Sequence, residues 1–77
     1  MTTENGFFVH RVAVIGLGLI GCSWVKGLRA QGGVGEVVGF DRNLDSMELA
    51  CETGIIDRYA TSPGAAVADA DLVIVSV

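Results

Sequence analysis

Six residues near the start of the chain have the types and spacing to hold a phosphate. They are Gly16-Leu17-Gly18-Leu19-Ile20-Gly21, a G-x-G-x-x-G. Each glycine has its own physical task in such a turn. Gly16 permits the sharp reversal out of a strand. Gly18 presents bare backbone that a pyrophosphate can approach, and Gly21 lets the following helix pack close on the strand. The unpaired N–H groups at the helix start, around Leu19 and Ile20, meet the negative charge with the helix dipole behind them. Asp41 follows Gly21 by twenty residues. That is where a dinucleotide fold places the acid that accepts hydrogen bonds from the adenosine ribose. A carboxylate there repels a 2′-phosphate, so NAD is expected over NADP. Arg42 comes next and is placed to stack on adenine or to offset that repulsion, which keeps NADP possible.

The motif alone carries little weight, because eleven glycines in 77 residues make chance matches easy. Its surroundings give it weight. Arg11-Val12-Ala13-Val14-Ile15 is a β-branched run that fits a strand buried on both faces, as in a parallel sheet. From Leu19 to Gln31 the pattern turns helical, with Gly21, Val25, Leu28 and Gly32 on one face, and Gly32-Gly33 stops it. Residues 36–41 form a second strand that ends in the acid. A second helix runs from Leu44 to Glu52, capped at Asn43-Leu44-Asp45-Ser46 and ended by Gly54. Its buried side is Leu44, Met47 and Cys51, or Leu49 and Ala50. Residues 55–60 read as a short third strand or an extended connection. Thr61-Ser62-Pro63 starts a short helix over residues 64–68. Leu72 to Val77 is a strand, apolar on both faces.

The order β-α-β-α-β-α-β gives an α/β fold, a Rossmann-like doubly wound parallel sheet of which only the first half is present. Residues 1–10 are a lead-in, and 11–77 are the N-terminal portion of a dinucleotide-binding domain. In that strand order the last strand lies beside the first, with one edge left unpaired. Ser76 and Val77, at its carboxyl end, are placed to make backbone contacts to the nicotinamide half of the cofactor.

Five Lys and Arg stand against nine Asp and Glu, a net charge of −4. No nucleic-acid partner is expected from that balance, and no adsorption to an anionic membrane. The longest uncharged stretch near the N-terminus, Val12 to Val25, holds fourteen residues, short of the roughly 20 that a spanning helix needs. Glu4 and a single Arg before it speak against a secretory signal, so a cytoplasmic setting is expected. Cys22 and Cys51 read as reduced, small buried hydrophobes, and no metal is expected. His10, the single histidine, precedes the first strand and is at the wrong end of the sheet for a nicotinamide, so no catalytic residue is assigned. Ser23 reads as a cap or packing residue, and Trp24 as packing or interface.

The run Val12 to Gly21, with Ser23 two residues on, resembles the N-terminus of prephenate/arogenate dehydrogenases. The resemblance continues through residues 35–43, through Gly54-Ile55-Ile56-Asp57-Arg58, and through residues 68–75, covering most of the chain from Arg11 to Val77. The Gly motif is shared with many dehydrogenases. The Leu-Ile-Gly-x-Ser continuation and the Gly-Ile-Ile-Asp segment are more specific. Cys22 departs from the Gly or Ala usual there and sets a thiol near the phosphate turn. The resemblance implies oxidative decarboxylation of prephenate to 4-hydroxyphenylpyruvate in tyrosine biosynthesis, with prephenate or arogenate as substrate and a homodimer as the complete enzyme. It also implies that the catalytic histidine and the helical substrate domain lie beyond Val77, so the chain reads as part of a cofactor domain. Two alternatives stand beside it. One is a nucleotide-binding or interaction module without its own chemistry. The other is a fragment of a β-hydroxyacid or imine-reducing dehydrogenase, which shares the Gly-Leu-Gly opening.

Overall fold

Three apolar runs dense in valine become the three longer strands of a computed structural model that describes residues 8–76. The elements follow in strict alternation: β1 (Val9–Ile15), α1 (Leu19–Ala30), β2 (Val34–Phe40), α2 (Leu44–Glu52), β3 (Arg58–Tyr59), α3 (Pro63–Val67) and β4 (Leu72–Val75). All strand pairs are parallel, in the order β3-β2-β1-β4. β1 is central. Val14 pairs with Gly39 on one side and with Ile74 on the other. The expected doubly wound order is therefore present.

The two faces of the sheet are unequally covered. Val12, Val14 and Val37 pack with Val25 of α1 and with Met47 and Ala50 of α2, and Val9, Leu17 and Ile56 complete this larger cluster. On the opposite face, Val38 packs with Ala60 and with Ala66 of α3 in a much smaller one. Successive strand residues point to opposite faces, which is why a short helix on the second face leaves part of it bare. Val73 and Val75 pair with Ala13 and Ile15 and are 43% and 64% exposed. The expectation of a strand apolar on both faces is met in composition, but only Leu72 and Ile74 pack against the core.

Some boundaries differ from the sequence reading. β1 starts two residues early, so His10 lies inside it, exposed and near its amino end. β3 shrinks to two residues because only Arg58 and Tyr59 pair, with Val38 and Gly39. β4 ends at Val75, although the Ser76 N–H still donates to the Ile15 carbonyl at 2.8 Å. Val77 lies outside the described residues. α2 buries Met47 and Ala50, while Leu44 and Leu49 are exposed. Cys22 and Cys51 are free and half-buried.

Polar ties close the end of the sheet away from the glycine turn. Arg11 Nε pairs with Glu36 at 2.7 Å, and Glu36 also takes Arg58 at 3.3 Å. Arg29 of α1 donates to the Ile55 carbonyl and to Asp57, and the same Asp57 oxygen accepts the Val37 N–H at 2.7 Å. The Gly-Ile-Ile-Asp segment thus straps the end of α1 to β2.

Candidate functional site

The carboxyl ends of β1 and β2 bring the predicted residues to one rim. Gly16 leaves β1 with φ 96°, a left-handed conformation that a side chain disfavours. Its N–H donates to the Phe40 carbonyl at 2.8 Å, which ties the turn to the end of β2. Gly18 is the N-cap of α1, with extended backbone, and a Cβ added there would meet nothing within 4 Å. At Gly21 a Cβ would overlap the Gly16 carbonyl oxygen and come within 3.5 Å of the Ser76 Cβ. The first glycine is needed for its dihedral angle, the second leaves open space, and the third allows close packing.

The helix start is electrostatically uncompensated. α1 has no side-chain cap and no acidic residue in its first turn. The first helical N–H to find a carbonyl is that of Cys22, bonded to Gly18 at 3.0 Å. The amides of Leu19, Ile20 and Gly21 belong to the orphan donors of a helix amino terminus, where anions are favoured.

Asp41 follows the last residue of β2. Its Oδ2 accepts the Leu17 N–H at 2.8 Å and its Oδ1 accepts the Asn43 N–H at 2.8 Å. An ionised carboxylate offers about four lone-pair sites, so one on each oxygen remains for a ligand. Arg42 beside it is exposed. Ile15, Gly16, Phe40, Asp41, Arg42 and Pro63 surround a cavity of about 380 Å³. Pro63 was not among the expected site residues. It arrives because α3, capped by Ser62 accepting from the Ala65 N–H at 3.1 Å, starts at the same rim as the glycine turn.

Ser76 reaches the turn, through its approach to Gly21, while Val77 is outside the described residues. His10 is far along β1 from the rim, as its amino-end position requires. Cys22 Sγ lies 3.6 Å from the Leu17 carbonyl and lines a separate cavity of about 310 Å³ with Lys26, Leu49 and Thr53. The thiol thus faces α2. Among the described residues no cluster of His, Cys, Asp and Glu could hold a metal, and no helix is long and apolar enough to cross a membrane.

Comparison with known proteins places this geometry. The family described as NADP oxidoreductase coenzyme F420-dependent matches residues 11–77, and the chain belongs to that family. A crystal structure of prephenate dehydrogenase from A. aeolicus, in complex with hydroxyphenyl propionate and NAD+, is 38% identical with a TM-score of 0.78. The match covers 88% of this chain and 24% of that one. A second structure of prephenate dehydrogenase, from Aquifex aeolicus, is 40% identical with a TM-score of 0.60, over 68% of this chain and 18% of that one. The resemblance read from the sequence is thus met by solved structures. Ketol-acid reductoisomerase (NADP(+)) of Saccharolobus islandicus is 42% identical over 64 residues, covering 83% of this chain and 18% of that protein. The chain therefore spans about a quarter or less of the length of these relatives.

Proposed function

We propose that residues 11–77 are the N-terminal portion of a dinucleotide-binding domain, with residues 1–10 as lead-in, in an NAD-dependent dehydrogenase of the prephenate type. One observation carries the reading: the G-x-G-x-x-G turn, the open amino terminus of α1 and the Asp41 carboxylate share one rim, where Gly16 and Asp41 line a cavity. In this reading the amides of Gly18, Leu19 and Ile20 receive the pyrophosphate, with Gly18 as the point of closest approach. The free lone pairs of Asp41 take the adenosine ribose hydroxyls, and Arg42 and Pro63 flank the base. Gly21 keeps α1 close enough to β1 for the helix terminus to reach the phosphates. Ser76, with Val77 next in sequence, lies toward the nicotinamide half.

When bound, the nicotinamide accepts a hydride, which is the redox half of oxidative decarboxylation. The substrate class, prephenate or arogenate, and a homodimeric assembly follow from the likeness to prephenate dehydrogenases and belong to the complete enzyme, in a cytoplasmic setting. The likeness to an NADP(+) reductoisomerase supports a second reading, an NADP-dependent reductase. Asp41 favours the first, because its charge opposes a 2′-phosphate. Calorimetric titration with NAD+ and NADP+ tests this: tighter NAD+ binding is expected, by about tenfold or more, on the scale of one charged contact. Equal or reversed preference removes the Asp41 argument and favours the reductoisomerase-like reading. Prephenate-dependent cofactor reduction by a chain that includes the downstream segment then tests the substrate.

A further inference from the structure

Among the described residues, three hydrogen bonds tie the turn between β1 and α1 to the neighbouring strands and the residues that directly follow them. Two are backbone to backbone: Gly16 N–H to Phe40 O, and Ser76 N–H to Ile15 O, both 2.8 Å. The third runs from the Leu17 N–H to a side chain, Oδ2 of Asp41, at 2.8 Å. Leu17 is the residue between the first two glycines, and its side chain is buried in the larger core cluster. With the side chain locked in the core and the amide locked on Asp41, the peptide leading to Gly18 has one orientation. Asp41 is itself held from the other side by the Asn43 N–H, at the residue that caps α2 through the Ser46 N–H.

We propose that Asp41 is a positioning residue for the phosphate turn in addition to a ribose ligand, acting through the Leu17 N–H to set the backbone that the pyrophosphate meets. The proposal rests on the dinucleotide reading above and deepens it. It has a consequence for cofactor choice. Removing the carboxylate removes the repulsion of a 2′-phosphate, but it also loosens the turn that binds the phosphates of either cofactor. Asp41→Ser therefore narrows the gap between NAD+ and NADP+ by losing NAD+ affinity, with no gain for NADP+.

The test compares the full chain with its Asp41→Asn and Asp41→Ser variants. In Asn the amide oxygen serves one N–H while its NH2 opposes the other. Serine is too short to reach Leu17, and gives a second reading should the Asn variant fold poorly. Two ligands are titrated: NAD+, and an NAD+ analogue carrying 2′,3′-dideoxyadenosine, which has no ribose hydroxyl for Asp41 to bind. Amide hydrogen exchange at Leu17 is followed without nucleotide. The expected result is a loss of about three- to tenfold for the analogue in both variants, as one hydrogen bond predicts. Leu17 should also exchange faster while Gly16, bonded to Phe40, keeps its rate. Wild-type affinity of the variants for the analogue, with loss confined to NAD+, would make Asp41 a ribose ligand alone and overturn the proposal while leaving the cofactor reading intact. Unchanged Leu17 exchange overturns it too. Failure of the wild-type chain to bind NAD+ is a separate signature, and it removes the cofactor reading and the proposal together.

Discussion

Gly18 and Gly21 are the same residue type three positions apart, yet they answer to opposite constraints. Space around Gly18 is open, and its extended backbone admits any residue. Gly18→Val is expected to cost at most about 1 kcal/mol of stability, the scale of a poorer N-cap. It should weaken NAD+ binding by roughly 100-fold, equal to about 3 kcal/mol, because the branched side chain fills the space proposed for the pyrophosphate. Circular dichroism with calorimetry measures both, and retained affinity would mean that the phosphates sit elsewhere. Gly21→Ala runs the other way. Helix propensity favours Ala over Gly by about 1 kcal/mol, but the new Cβ would overlap the Gly16 carbonyl oxygen, and overpacking costs about 1–3 kcal/mol. Rigid backbone on the other side of the contact lets the overlap win. A net loss of about 1–2 kcal/mol in urea denaturation is expected, and a gain would show that the turn relaxes.

At the level of elements, the strap between α1 and β2 divides a charge effect from a hydrogen-bond effect. The Arg29–Asp57 pair is partly solvated, with side chains 31% and 45% exposed, so screening leaves it worth about 0–1 kcal/mol. The same Asp57 oxygen accepts the Val37 N–H, on a residue that is buried, and orphaning such a donor costs about 1–3 kcal/mol. Asp57→Asn should therefore lose under about 1 kcal/mol, and Asp57→Ala about 2 kcal/mol, measured by urea denaturation. Equal losses would assign the strap to charge. The sequence could not announce this tie, because Arg29 and Asp57 belong to elements joined only by folding. It did announce α2 to the residue, since the Asn43 cap and the Gly54 stop are local chemistry. β3 was legible only as a choice between strand and connection, because its length is set by how long its partner stays in reach. Asp41 was legible by spacing, whereas its bond to Leu17 required the turn to curl back over β2. Pro63 was missed for the same reason, since a residue is brought to a rim by topology.

Two expectations belong to the whole molecule. The rim holds binding groups, and the one histidine stands at the sheet's opposite end, so the 77 residues alone should show no prephenate-dependent cofactor reduction above a blank. The 77-residue chain should also self-associate through the bare side of β4, an open apolar strand edge being a template for pairing. Sedimentation at micromolar concentration measures it, and Val73→Lys with Val75→Lys should shift the chain toward monomer. Both positions are exposed, so stability should move by only about 0.5 kcal/mol each. A monomeric wild-type chain would show that β4 needs no partner. The central place of β1 also has a consequence in time. Its partner Ile74 is sixty residues later in sequence than Val14. During synthesis at about 5–20 residues per second, β1 waits roughly 3–12 seconds after its own emergence for that strand to emerge. The first strand translated thus keeps one edge unpaired until the last strand arrives, and in that interval that edge is available to chaperones. Slow codons between β2 and β4 should lengthen the interval and raise aggregation without altering a single residue.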